Sequence, residues 1–343
     1  MSGNSATTQE AVAPEPPPPR RRRLRTRILL AVAALLVVAL GVSFTYVYSI
    51  DRSVTQNVVR EANLLVQSPT EPGQAPRPPA SSTAALNYVL LGSDSRDLGN
   101  SANGRSDSIM VVHLNAARDR AYVVSFPRDM YVNVPGHGKN KINAAFAYGG
   151  PQLTVATLEG LLNVRMDHVV LIDFDGFIRL TDDLGGITVK NRHAFTSHGY
   201  RYPKGTITIS GEQALWFVRE RDSLPHGDLD RAENQRNVIK AIVQKGLSRS
   251  VMADPVRYLK FVSGLTEHLT VDSSLSNDEI RVTALSLRLS GDDIETVQAP
   301  ISGYGTTATG ESIDVVDQAE LDKLATALRD DKLSSYVKQS SGS

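Results

Sequence analysis

The chain has 343 residues, 41% of them hydrophobic, with 37 Lys and Arg balanced by 37 Asp and Glu and with no cysteine. That length accommodates one large domain or two smaller ones, and the missing cysteine excludes disulfides, thiolate metal sites and cysteine nucleophiles together. The neutral total conceals an uneven distribution: six arginines crowd into residues 20–27, whereas from Asn87 onward 28 basic residues face 32 acidic ones, which argues against a general nucleic-acid surface.

Residues 1–27 are Ser/Thr/Pro/Glu-rich and end in that basic cluster, so they read as a disordered cytoplasmic tail. Residues 28–50 carry no charge. At about 1.5 Å per residue they cross a hydrocarbon layer about 30 Å thick, with Tyr46 and Tyr48 at the far interface. The arginines ahead of the span keep the N-terminus in the cytoplasm and put the rest outside the cell. Bulky residues stand where a signal-peptide cleavage site needs small ones, so 28–50 is predicted as an uncleaved, single-pass signal anchor in the cell membrane. Residues 51–84 read as an extracellular stalk: a short amphipathic helix over 53–66, then an extended spacer with five prolines across 68–82. The ordered domain is expected over 85–332, and 333–343 as a flexible tail.

Within that domain the pattern predicts strands at 87–92, 109–114 and 122–126. A glycine-broken loop, a helix at 152–163 and a strand at 168–174 follow. The helix at 176–184 stops at Gly185-Gly186, as a C-cap requires. A short strand at 206–209 precedes a helix opened by Ser210 and Gln213 in capping-box spacing. Further helices are predicted at 229–247, 255–269, 277–289 and 318–329, with a strand at 295–298. The alternation implies an α/β, α-β-α sandwich-like fold with a central mixed sheet flanked by helices.

No G-x-S-x-G elbow and no H-E-x-x-H pair occurs, and Gly136-His-Gly-Lys139 lacks the spacing of a phosphate-binding Walker loop. His113 and His168, on apolar strands, read as core residues. The remaining charged residues gather at element ends. Asp94 follows the first strand, and Arg105 and Asp107 precede the second. Arg128 follows the third in SFPRD, where Pro127 stops the ladder. Arg219 and Arg221, two apart, share a site only if their helix ends between them. Asp228, Arg231 and Gln235 share one face of the next helix at i, i+3 and i+7. Converging guanidinium groups suit a multiply anionic ligand, phosphate above all. The aspartates suit a hard cation such as Mg²⁺.

The segments NYVLLGSDSR, GRSDSIMVVHLN, VVSFPRDMYVNVPG, KINAAFAYGGP, DFDGFIRLTDDLGGITV and GEQALWFVRERDSLPHGDLDRAENQ resemble, in order, the motifs of the LytR-CpsA-Psr family. The resemblance implies a membrane-anchored phosphotransferase that moves a glycopolymer from a polyprenyl-diphosphate carrier to peptidoglycan, with Mg²⁺, or Mn²⁺ in its place. It implies metal coordination by Asp94 and Asp107 and a diphosphate-binding set of Arg105, Arg128, Lys141, Arg219, Arg221, Arg231 and Gln235. Arg128, Arg221 and Asp228 are the residues implied in catalysis, Asp228 as general base. Asp230 and Asn234 stand where glycine and arginine are common in the family. The partners so implied are the lipid-linked glycopolymer, peptidoglycan and membrane lipid. Two other readings stay open: a lipid-diphosphate binding or scaffolding protein without catalysis, and a hydrolase that uses water in the same site. A membrane-linked transcription regulator conflicts with the predicted outward topology and the acidic charge.

Overall fold

The computed structural model describes residues 58–65, 76–93, 106–252 and 254–340. The tail and membrane span predicted at 1–50 lie outside these residues. No helix among the described ones is long and apolar enough to cross a membrane.

In chain order, strand β1 (Val59–Glu61) is followed by β2 (Leu86–Ser93), β3 (Ser106–Leu114) and β4 (Ala121–Phe126). A hairpin, β5 (Tyr131–Val134) and β6 (Gly138–Lys141), leads into helix α1 (Ile142–Leu162), then β7 (His168–Asp173) and α2 (Phe174–Asp183). Strands β8 (Ile187–Asn191), β9 (Phe195–Ser197), β10 (Tyr200–Tyr202) and β11 (Gly205–Ile209) form two small ladders ahead of α3 (Gly211–Arg219) and α4 (Asp228–Gly246). Then come α5 (Arg249–Met252), α6 (Pro255–His268), β12 (Thr270–Asp272), α7 (Asn277–Ser286) and β13 (Ile294–Gln298). A second hairpin, β14 (Ile301–Thr306) and β15 (Ser312–Val316), precedes α8 (Gln318–Arg329) and α9 (Leu333–Ser340).

Seven strands build one mixed sheet in the order β1-β12-β7-β2-β3-β4-β13. Strand β7 runs parallel to β2 and β13 parallel to β4, while β3 is antiparallel to both its neighbours. Every residue of β4 is buried, which is why its sequence is apolar on both faces, Ser125 excepted, rather than alternating. On one face Val89, Val111 and Val124 pack with Phe146 and Leu158 of α1 and Leu324 and Leu328 of α8. On the other, Met110 and Val123 meet Ile239 and Val243 of α4. Phe177, Leu215, Phe217 and Val238 form a second core between α2, α3 and α4. The central mixed sheet flanked by helices agrees with the α/β architecture read from the sequence. Because β2, β4 and β7 point the same way, their carboxyl ends line one edge of the sheet, beside the start of β3.

Four local readings are corrected. The stretch 53–66, read as a short amphipathic helix within a stalk, carries β1, which pairs in parallel with β12. Leu64 and Leu65 just after it are buried in the main core, and the Arg77 guanidinium holds buried Glu159 at 2.7 Å; parts of 51–84 therefore belong to the domain. The tail after Lys332 forms α9, because Leu333 is buried and Tyr336 and Val337 pack on the core. The glycine-broken loop after β4 is the β5–β6 hairpin, and α1 starts at Ile142 with a break at Gly149 and Gly150. Gly150 has φ +60°, where a side chain is strained, and Pro151 restarts the helix at a position needing no N–H. Finally, Ser210 makes no capping bond; the Thr181 hydroxyl accepts the Gly211 N–H instead, at 2.8 Å. A capping box of that kind is present at Ser276 and Glu279, at the start of α7.

Candidate active site

Pro127 ends β4, and the turn after it places Arg128 and Asp129 at the sheet edge. The Asn143 N–H donates to the Arg128 carbonyl at 3.2 Å, and the Ile142 N–H to the Met130 carbonyl at 2.8 Å, so the strand end and the start of α1 are tied together. Arg128 Nε then stands 3.3 Å from Asp228 Oδ1 and 3.7 Å from Asp129 Oδ2. Lys141, the last residue of β6, brings Nζ to 3.2 Å from Asp129 Oδ1. Asp228 opens α4, where Gly227 at φ +52° turns the chain. Buried Arg231 also bonds to Asp228, as the i, i+3 spacing predicts. Two guanidinium groups thus flank one carboxylate.

Burial raises the Asp228 carboxyl above the ordinary range; Arg231 and Arg128 oppose that, and the Asp129 charge adds to it. A third carboxylate closes the group. Asp314 of β15 donates its N–H to the Asp129 carbonyl at 2.9 Å. It is 6% exposed, and its Oδ2 has no hydrogen-bond partner. Burial, with the Asp129 and Asp228 charges, pushes its pKa up to about 6 against the pull of Lys141. Asp314 escaped the sequence reading because it lies far along the chain in a two-stranded ladder with no motif around it; a lone acid within an apolar strand was the available signal.

Helix α3 ends at Arg219, with Glu220 extended, so Arg219 and Arg221 leave a chain that has stopped being helical between them. The Arg219 guanidinium lies 4.4 Å from the Phe174 ring centre and 5.0 Å from that of Trp216, a cation–π placement. Arg221 is half-exposed, with Nε 3.2 Å from Asp222, yet close enough to Asp228 to draw its pKa down. Gln235 donates to the Val218 carbonyl at 3.2 Å. Arg219 and Gln235 also line a cavity of about 240 Å³ between the sheet and α2, α3, α4 and α6. Its walls are almost wholly apolar, including Leu90, Met110, Phe177, Leu215, Ile239 and Leu265, with Ser108, Asp173, Arg219 and Gln235 as polar exceptions. Asp94 and Arg105 lie outside the described residues. The backbone of Asp107 belongs to β3, and its side chain is likewise outside them. His113 and His168 are buried against Asn87, Asp331 and Asp272, as core residues.

The sequence profile of the LytR_cpsA_psr family matches residues 46–330. The chain belongs to the LytR-CpsA-Psr family. A relative from Enterococcus faecalis (strain ATCC 700802 / V583), named polyisoprenyl-teichoic acid–peptidoglycan teichoic acid transferase TagU, is 36% identical over 245 residues, 71% of this chain and 78% of the relative. The crystal structure of B. subtilis TagV superposes with a TM-score of 0.62 at 26% identity, covering 73% of this chain and 98% of TagV. TagT bound to LI-WTA gives 0.58 at 27% identity, over 80% and 98% of the two chains. The LytR-CpsA-Psr assignment thus rests on the whole domain as well as on the motifs, and the β1 segment lies inside the matched range.

Proposed function

We propose that this LytR-CpsA-Psr chain transfers a glycopolymer from a polyprenyl-diphosphate carrier to peptidoglycan through a phosphodiester bond, anchored by residues 28–50 with its domain outside the cell membrane. The observation that carries the reading is an apolar cavity bordered by Arg219 of α3 and by Gln235 of α4, the helix that also brings Arg231 and Asp228 to Arg128. An apolar slot beside clustered cations suits a molecule with a long hydrocarbon chain and a diphosphate head. The named relatives support a transferase acting on wall teichoic acid, and this chain's glycopolymer is assigned at the level of that class.

In this proposal Arg105, Arg128, Lys141, Arg219, Arg221, Arg231 and Gln235 bind the diphosphate. Guanidinium groups match its oxygens two at a time and neutralise charge that grows in the transition state. A peptidoglycan hydroxyl attacks the glycan-side phosphorus. The new P–O bond forms as the bond to the carrier breaks, and polyprenyl phosphate leaves with the electron pair. Asp228, between Arg128 and Arg231, receives the hydroxyl proton. Asp94 and Asp107 are the residues assigned to Mg²⁺, or Mn²⁺. Ser93, which precedes Asp94 in the sequence, pairs with Ser106, which precedes Asp107, across a register shift at Gly92. Two carboxylates with diphosphate oxygens make a hard-cation donor set, and the bound ion supplies charge neutralisation.

Arg128→Lys and Arg221→Lys separate catalysis from binding. Lysine keeps the charge and loses the bidentate fork. With full-length protein in detergent and a synthetic prenyl-diphosphate glycan, affinity should stay within about tenfold of wild type while turnover falls ~10²–10³-fold. Wild-type protein that binds the lipid yet yields neither product nor prenyl phosphate would make it a binder, and sugar release without an acceptor would make it a hydrolase.

A further inference from the structure

Three side chains outside the assigned diphosphate and Mg²⁺ sets come together at the start of α4. His193 lies in the turn between β8 and β9, His226 in the loop before α4, and Asp230 in the first turn of that helix. Asp230 Oδ1 stands 3.3 Å from His226 Nδ1 and 3.9 Å from His193 Nε2. One ligand atom from each residue lies within 4.8 Å of the other two. Asp230 is 5% exposed. Its Oδ2 accepts the His226 backbone N–H at 2.9 Å, which fixes the carboxylate with Oδ1 toward both rings. His193 Nε2 is itself buried and has no hydrogen-bond partner.

A tetrahedral site with bonds of ~2.0–2.1 Å holds neighbouring ligand atoms roughly 3.3 Å apart. The two spacings to Asp230 lie within about 0.6 Å of that, and the two imidazole nitrogens, within 4.8 Å of each other, close by at most about 1.5 Å. Two imidazoles with one carboxylate form a donor set of borderline softness, which suits zinc-class ions, whereas Mg²⁺ takes oxygen. An ordinary i, i+4 pair of His226 with Asp230 accounts for those two residues. It leaves the buried His193 nitrogen, from a segment more than thirty residues away, without a role.

We propose that His193, His226 and Asp230 form a divalent transition-metal site of the zinc class, separate from the aspartate pair assigned to Mg²⁺. The ion would clip the β8–β9 turn to the helix that carries Asp228, Arg231 and Gln235. The fourth position belongs to water, on the side where His226 is exposed. The proposal is independent of the transfer reaction.

The test uses full-length protein stripped with a chelator and dialysed against Zn²⁺, with bound metal measured by mass spectrometry and affinity by calorimetry. One zinc per chain is expected, with Mg²⁺ failing to displace it. Free zinc at a hundred times Kd should raise the folded-to-unfolded ratio about 100-fold. His193→Ala and exposed-site His226→Gln should each weaken binding at least tenfold and cut that rise to about 10-fold or less, while melting like wild type when both are stripped of metal. Absence of stoichiometric zinc, or equal zinc binding by both variants, would overturn the site.

Discussion

Asp314→Asn probes the electrostatics of the site through stability alone. Wild-type Asp314 titrates near 6 in the folded chain, raised by burial and by Asp129 and Asp228, against about 3.9 in an unfolded one. Between these values the folded state holds a proton that the unfolded state has released. Stability therefore falls as pH rises from about 4 to 6, and is greatest below that window. Two pKa units at about 1.36 kcal/mol each give a loss of about 3 kcal/mol. Asparagine keeps the volume and does not titrate. Denaturant melts of both proteins should show the variant's stability relative to wild type climbing by about 3 kcal/mol between pH 4 and 7. The pH-independent cost of the amide cancels in that comparison. Parallel curves across the window would refute the three-carboxylate arrangement, since an isolated surface aspartate produces no such slope.

Leu64→Ala, in the segment ahead of the proline-rich stretch, should cost ~2–5 kcal/mol by denaturant melts, because the side chain is fully buried in the main core; a change below about 0.5 kcal/mol would make that segment a mere tether. Ile239→Trp should fill the apolar cavity it lines and weaken binding of a long-chain prenyl diphosphate at least tenfold by calorimetry, while a short water-soluble diphosphate binds as before; equal losses for both would place the hydrocarbon chain elsewhere. Asp94→Ala and Asp107→Ala should each abolish Mg²⁺-dependent turnover with melting temperature nearly unchanged, and retained activity with a lowered melting temperature would make them structural.

The strands and long helices were legible because their chemistry is local. The run 121–126 and the stop at Pro127 placed Arg128 at the sheet edge, and the helix break after Arg219 agrees with Pro225 shortly beyond it, in Arg221-Asp-Ser-Leu-Pro225. The i, i+3 relation of Asp228 and Arg231 needed only the helical repeat. What escaped depended on distant partners. Residues 59–61 become a strand only because β12 offers an edge, and 333–340 becomes a helix because Leu333 finds the core. Ser210 lost its cap to Thr181, thirty residues earlier. Asp314 joins the site through the β14–β15 ladder, which no spacing rule foretells, and His193 reaches Asp230 by the same kind of long-range closure.

The most direct test of glycopolymer transfer is reconstitution with full-length protein in nanodiscs, a lipid-diphosphate-linked glycan, Mg²⁺ and peptidoglycan fragments, with the products read by mass spectrometry. Transfer predicts a glycan joined to a peptidoglycan sugar through one phosphate, one polyprenyl phosphate released for each linkage made, and loss of both in Arg128→Lys. Intact lipid-linked glycan alongside demonstrated binding, or free glycan phosphate in place of the phosphodiester, would contradict it.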